Sequence, residues 1–215
     1  MVRVKICGIK SIDEVWMAVN AGANAFGLIV GATHKTEDVL KPEDANHILK
    51  KAPPYISSVL VTHLTTAKEI LTIYMKVPAC DIQLQDNISI DEIDRLRRDL
   101  KHVKLIKAIH VVNKDALETA KYFAPNVDAL LLDSKTRFRI GGTGKVHDWN
   151  ISRDIVESIE IPVILAGPVV ANATPARARI PPPTIAPTPT PVAANNPSCL
   201  SCCAISVPTG KSFPV

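Results

Sequence analysis

Short apolar runs rich in β-branched residues recur along the chain. They are VRVKI at 2–6, AFGLIV at 25–30, YISSVLVT at 55–62, ACDIQL at 79–84, VKLIKAI at 103–109, VDALLL at 127–132 and PVILAG at 162–167. Several of their starts fall close to 24 residues apart. Between them the apolar positions switch to helical spacing. SIDEVWMAVNAG opens on Ser11 as a capping residue, carries acids in its first turn and stops at Gly22. KPEDANHILKKA places Pro42 at a first helical position. SIDEIDRLRRDL sets Ile90, Ile93, Leu96 and Leu100 along one face. NKDALETAKYF and NISRDIVESIE follow the same logic.

Nearly continuous apolar strands, each followed by a helix, predict a parallel sheet covered on its outer face by helices. A period in the twenties and seven strands fit an α/β fold of the (βα)8 TIM-barrel type better than a doubly wound sheet. The glycine-rich stretch follows the sixth strand, not the first, and lacks G-x-G-x-x-G spacing, which argues against dinucleotide binding. An eighth strand is missing from the pattern. The predicted organisation is therefore an incomplete barrel, strands one to seven, over residues 1–167, and an irregular Pro/Ala/Thr-rich tail over 168–215.

Composition narrows the packing. Hydrophobic residues make up 47% of the chain but aromatics only 4%, so aliphatic contacts must fill the core. No apolar run is long enough to span a membrane. The start, MVRVKICGIK, reads as no signal peptide, so the chain is expected in the cytoplasm with its cysteines reduced. The net charge of +4 is unevenly placed: every acid lies at or before Glu160, and beyond it the only bases are Arg177, Arg179 and Lys211. The ordered part is thus near neutral and offers no basic face for nucleic acid. The tail cluster CLSCC at 199–203 has too few ligands for zinc and is read as a product of composition.

In such barrels reacting groups sit at the C-terminal ends of the strands. Strand one ends in Cys7-Gly8, strand four in Gln83 and Gln85, strand six in Asp133-Ser134, and strand seven in Gly167. Cys7 and Asp133 come from different sides of the mouth and could face each other across it. A thiolate can take a proton and a protonated carboxyl can give one. Taken singly, Cys7 reads as a small buried hydrophobe and Asp133 as a cap; the pair carries the signal. GGTGK at 141–145 is rich in backbone donors, and Gly142, Thr143 and Gly144 could approach a phosphate closely. Its spacing to Lys145 is too short for a Walker loop.

KICGIK, DALLLDS and GGTGKVHDW, in this order and followed by PVILAG, resemble the phosphoribosylanthranilate isomerase family over residues 1–167. GGTGKVHDW is the most specific piece, although Val146-His147 stand where the family usually has Thr-Phe. The resemblance implies a (βα)8 enzyme of tryptophan biosynthesis. It would perform an Amadori rearrangement of N-(5-phosphoribosyl)anthranilate, a small phosphorylated substrate, without metal or organic cofactor. It implies Asp133 as general acid at the ring oxygen and Cys7 as general base at C2. It implies substrate contacts from Gln83, from Gly142, Thr143 and Gly144, and from Gly167. Where the family often has an arginine for the anthranilate carboxylate, Lys35 is the nearby cation, with charge but no bidentate fork. The family's QLHG is QLQD here, at 83–86.

The largest departure follows Gly167. The family continues with another glycine, a helix and an eighth strand, and the loops after strands seven and eight hold the phosphate. Here Pro168 has no N–H to donate, and residues 168–215 hold 11 of the 17 prolines, three of the five cysteines and no acid. We read the break as a change of reading frame near residue 168, with a linker as the alternative; translating the other two frames of the gene separates them. Only LSCCAISV, at 200–207, could imitate strand eight between strands one and seven. Two other readings stand beside a weakened isomerase. One is an inactive remnant of it, or a chain with a partner-binding proline-rich tail. The other is a lyase or synthase of the same pathway on a phosphate-binding barrel, which should show lysine and glutamate at its strand ends.

Overall fold

The computed structural model describes residues 2–33, 38–133 and 149–166. It also gives the backbone of two short strands, Lys135–Thr136 and Arg139–Ile140, and of a strand at Cys203–Val207. The seven expected strands form as β1 Arg3–Cys7, β2 Ala25–Val30, β3 Ser57–Thr62, β4 Asp81–Leu84, β5 Lys104–His110, β6 Ala129–Asp133 and β7 Val163–Ala166. Each neighbouring pair from β1 to β7 runs parallel. The intervening helices are α1 Ile12–Asn20, α2 Pro42–Lys51, α3 Ala67–Tyr74, α4 Ile90–Asp99, α5 Asp115–Phe123 and α6 Trp149–Ser158.

The helix starts follow from their first residues. Ser11, Thr66 and Ser89 each accept, on the side-chain oxygen, the backbone N–H three residues on, at 3.2, 3.4 and 3.4 Å. Glu14 reaches back to accept from the Lys10 N–H at 2.6 Å, which completes a capping pair on α1. Pro42 opens α2. Glu92 lies in the first turn of α4, and its carboxylate also accepts from the Ala67 N–H at 2.6 Å, so one acid ties the starts of two adjacent helices.

Two apolar layers result from alternation along the strands. The larger lies between sheet and helices, with Phe26, Leu28, Leu60, Ile82, Leu84, Leu105, Leu130 and Leu132 meeting Ile70, Ile93, Leu96, Ala120 and Ile155. The smaller fills the barrel interior with Val59, Val61, Ile106, Ala108, Ala129 and Leu131. Ala25, Ile29, Ile164, Ala166 and Cys7 border it. Aliphatic residues dominate both layers, as the low aromatic content requires.

The expected gap between β1 and β7 is filled. Cys203–Val207, here β8, pairs antiparallel with both, Arg3 opposite Ser206 and Ala166 opposite Ala204. Along these strands the backbones of β1 and β7 are therefore paired on both sides. A parallel β8 would need a long crossover back to the bottom of the barrel, normally a helix. The antiparallel strand needs none: β7 ends at the mouth and Cys203 starts there. Val207, the last residue of β8, pairs with Val163 at the bottom.

Candidate active site

Cys7 is the last residue of β1, half-buried, with a free thiol. Gly8 follows with φ of +79°, and the N–H groups of Gly8 and Ile9 both donate to the Gly27 carbonyl at 3.1 Å. This turns the chain sharply away from the mouth and leaves the thiol on the inner face. Gly27 is the register partner of Cys7 on β2. A Cβ at Gly27 would lie 2.9 Å from the Cys7 sulfur, so the missing side chain is the space the thiol occupies.

Asp133 ends β6 and is buried, 7% exposed. Its strand neighbour in register is His110, at the end of β5. The Asp133 Oδ2 accepts a hydrogen bond from Gln85 Nε2 at 2.9 Å. Gln85 Oε1 in turn accepts from Gln83 Nε2 at 2.7 Å. Gln83 Oε1 accepts from the Lys5 ammonium. Four buried polar side chains from β1, from β4 and the residue just past it, and from β6 thus form one line across the barrel. Buried amides and charges cost stability unless bonded; here each link satisfies the next.

Further titratable groups surround this line. His63, buried just beyond β3, has its Nδ1 3.4 Å from Asp86 Oδ2. Asp81, below Gln83 on the inner face of β4, is held above the usual carboxylate range by burial; the Lys104 and Lys5 ammonium groups pull it down and Asp128 pushes it up. Lys107 points the other way, into the sheet–helix layer. Its Nζ lies 5.1 Å from the Phe123 ring centre and donates to the Ala108 carbonyl at 2.5 Å. Burial lowers it to about 8, against the opposing pull of Asp86.

Of the site residues expected from sequence, Cys7, Gln83 and Asp133 lie on the inner face, Cys7 and Asp133 at the mouth and Gln83 one step deeper. Gln83 is 4% exposed and has its carbonyl on Lys5 and its amide on Gln85. Lys35, Gly142, Thr143, Gly144 and Gly167 lie outside the described residues. Tail residues 168–202 lie outside them too. Sequence reasoning passed over Lys5 and Gly27 and left Gln85 without a role. The signal was there in the period-two polar positions: Arg3 and Lys5 before Cys7, and Asp81 and Gln83 before Gln85.

This geometry has close relatives. A curated N-(5'-phosphoribosyl)anthranilate isomerase of Methanosarcina mazei is 41% identical over 167 residues, covering 77% of this chain and 74% of the relative. That of Haloarcula marismortui is 35% identical over 167 residues, covering 78% and 76%. The crystal structure of the Thermotoga maritima phosphoribosyl anthranilate isomerase superposes with a TM-score of 0.67 at 30% identity, covering 77% of this chain and 76% of that one. A structure of such an isomerase in complex with reduced 1-(o-carboxyphenylamino)-1-deoxyribulose 5-phosphate superposes at 0.63 and 27% identity, with 77% and 75% covered. The family profile for N-(5'-phosphoribosyl)anthranilate isomerase matches residues 4–179. Inner-face thiol and carboxylate, strand order and sequence agree: the chain belongs to the N-(5'-phosphoribosyl)anthranilate isomerase family.

Proposed function

We propose that the chain carries the proton-transfer machinery for the Amadori rearrangement of N-(5-phosphoribosyl)anthranilate in tryptophan biosynthesis. The observation that supports this most is the placement of Cys7 and Asp133 on one inner face at one end of the barrel. Asp133, as acid, gives its proton to the furanose ring oxygen. The C1–O bond breaks and the amine nitrogen forms a double bond to C1. Cys7, as thiolate, removes the C2 proton; the electron pair moves into C1–C2 and neutralises the nitrogen. The enolamine then becomes the ketone. The iminium is the electron sink, so this route calls for no metal or organic cofactor. We assign the substrate phosphate to Gly142, Thr143, Gly144 and Gly167 and its anthranilate carboxylate to Lys35, and we place the enzyme in the cytoplasm.

We further propose that turnover by this chain is slow. The phosphate needs backbone donors at the mouth after strands seven and eight. Pro168 supplies none, and the antiparallel β8 ends at the bottom of the barrel rather than at the mouth. Weaker phosphate binding means weaker positioning of C2 and the ring oxygen, so kcat falls along with affinity. The test is the isomerisation rate of the purified chain with and without Cys7→Ala. A rate unchanged by that substitution removes Cys7 from the mechanism.

A further inference from the structure

The line from Lys5 to Asp133 has a direction. An ammonium has donors and no acceptor, so Gln83 must turn its carbonyl to Lys5. That leaves its amide group to donate to the Gln85 carbonyl, and Gln85 then has only its own amide group to offer Asp133. We propose that Lys5, acting through Gln83 and Gln85, fixes the Asp133 carboxyl so that Oδ2 only accepts and the acid proton is carried on Oδ1. Lys5, Gln83 and Gln85 are on this account positioning residues for the acid. The inference rests on the assignment of Asp133 as the acid. Its consequence is that the oxygen bonded to Gln85 does not take the proton, and the donated proton is on the other one. A protonated carboxyl facing an amide free to flip would distribute its proton over both oxygens.

The same line carries positive charge toward Asp133. Each donated bond, and the ammonium behind it, favours the carboxylate. Other titratable groups on the inner face are His110 beside Asp133 on β5, Cys7 on β1 and His63 with Asp86 just past β3 and β4. Lower down come Arg3, Lys104 and Asp81. None of these lies between Lys5 and Asp133 in the bonded line.

The test is a pH titration of the Asp133 side-chain carbonyl by 13C NMR in the full chain, assigned by Asp133→Asn. Lys5→Met and Gln85→Leu should each raise the midpoint by about one pH unit. Lys5→Arg, which keeps a donor-only cation, should leave the midpoint near the native value. A midpoint unmoved in Gln85→Leu overturns the proposal. So does a rise of equal size in Lys5→Arg and Lys5→Met, which would report packing alone. Gln85→Leu keeps the test open if Lys5→Met does not fold. The readout needs no turnover. A chain whose turnover is unchanged by Asp133→Asn but that shows the shifts rejects the assigned role of the acid and keeps the relay; turnover lost on Asp133→Asn without the shifts does the reverse.

Discussion

A single missing side chain makes room for the Cys7 thiol. Gly27 leaves the space that Cys7 fills, and a methyl there would sit 2.9 Å from the sulfur and 3.3 Å from a Val61 methyl. Gly27→Ala should therefore turn the thiol off its position and lower isomerase kcat about tenfold or more, with a smaller change in KM. Steady-state kinetics checks this, with the melting temperature as the control for folding. Cys7→Ala and Asp133→Asn should each lower kcat by about a hundredfold or more, the usual contribution of one proton carrier. The double variant should be no worse than either single one, because one rearrangement needs both transfers. The placement of Cys7 and Asp133 at the mouth could be read from the sequence because each stands at the end of an apolar run. Gly27 could not: nothing in AFGLIV says which neighbour the glycine must admit. That information lies in the register between β1 and β2.

At the scale of elements, β5 carries an unusual cost. Lys107 faces the sheet–helix layer, where burial holds its ammonium down to about 8 from an ordinary 10.5. Between those two values the unfolded chain binds more protons at this residue than the folded one, so its contribution to stability rises with pH across the window. Below pH 8 the penalty is complete, about 3 kcal/mol. It is offset in part by the Phe123 ring and the Ala108 carbonyl. Lys107→Met should remove the pH dependence and stabilise the barrel near pH 7. Urea unfolding of both proteins at pH 7 and pH 10.5 measures this; equal pH dependence in the two would place the effect elsewhere. The elements themselves were legible. Period-two and helical spacing differ sharply in this aliphatic sequence, and Ser11 and Pro42 mark helix starts where the structure has them. Lys107 was not legible as a buried charge, because VKLIKAI offers two lysines and only the pleat decides which face each takes.

For the whole molecule the decisive feature is how the barrel closes. The proline-rich tail carries no pattern for the helix that usually makes the crossover to a parallel eighth strand, and the structure closes with an antiparallel one. Of the tail, the one stretch singled out from sequence as apolar and β-tolerant is where the strand forms. Its direction was not readable, since direction depends on the path of the chain and not on the apolar pattern. Deleting residues 199–215 should bare the edges of β1 and β7 and increase aggregation. Size-exclusion chromatography with light scattering reads this, and an unchanged monomer fraction would show that β8 does not close the barrel in solution. Replacing residues 168–215 by the family's closing helix–strand–helix should raise kcat and lower KM together, because it restores phosphate donors at the mouth. That repaired chain also gives the most direct test of the central claim, that Asp133 and Cys7 move the protons of one Amadori rearrangement. The measurement is its kcat/KM for N-(5-phosphoribosyl)anthranilate before and after Asp133→Asn. The account predicts turnover well above that of the native chain, lost on the substitution while the fold and melting temperature are kept. Turnover that survives Asp133→Asn would contradict it.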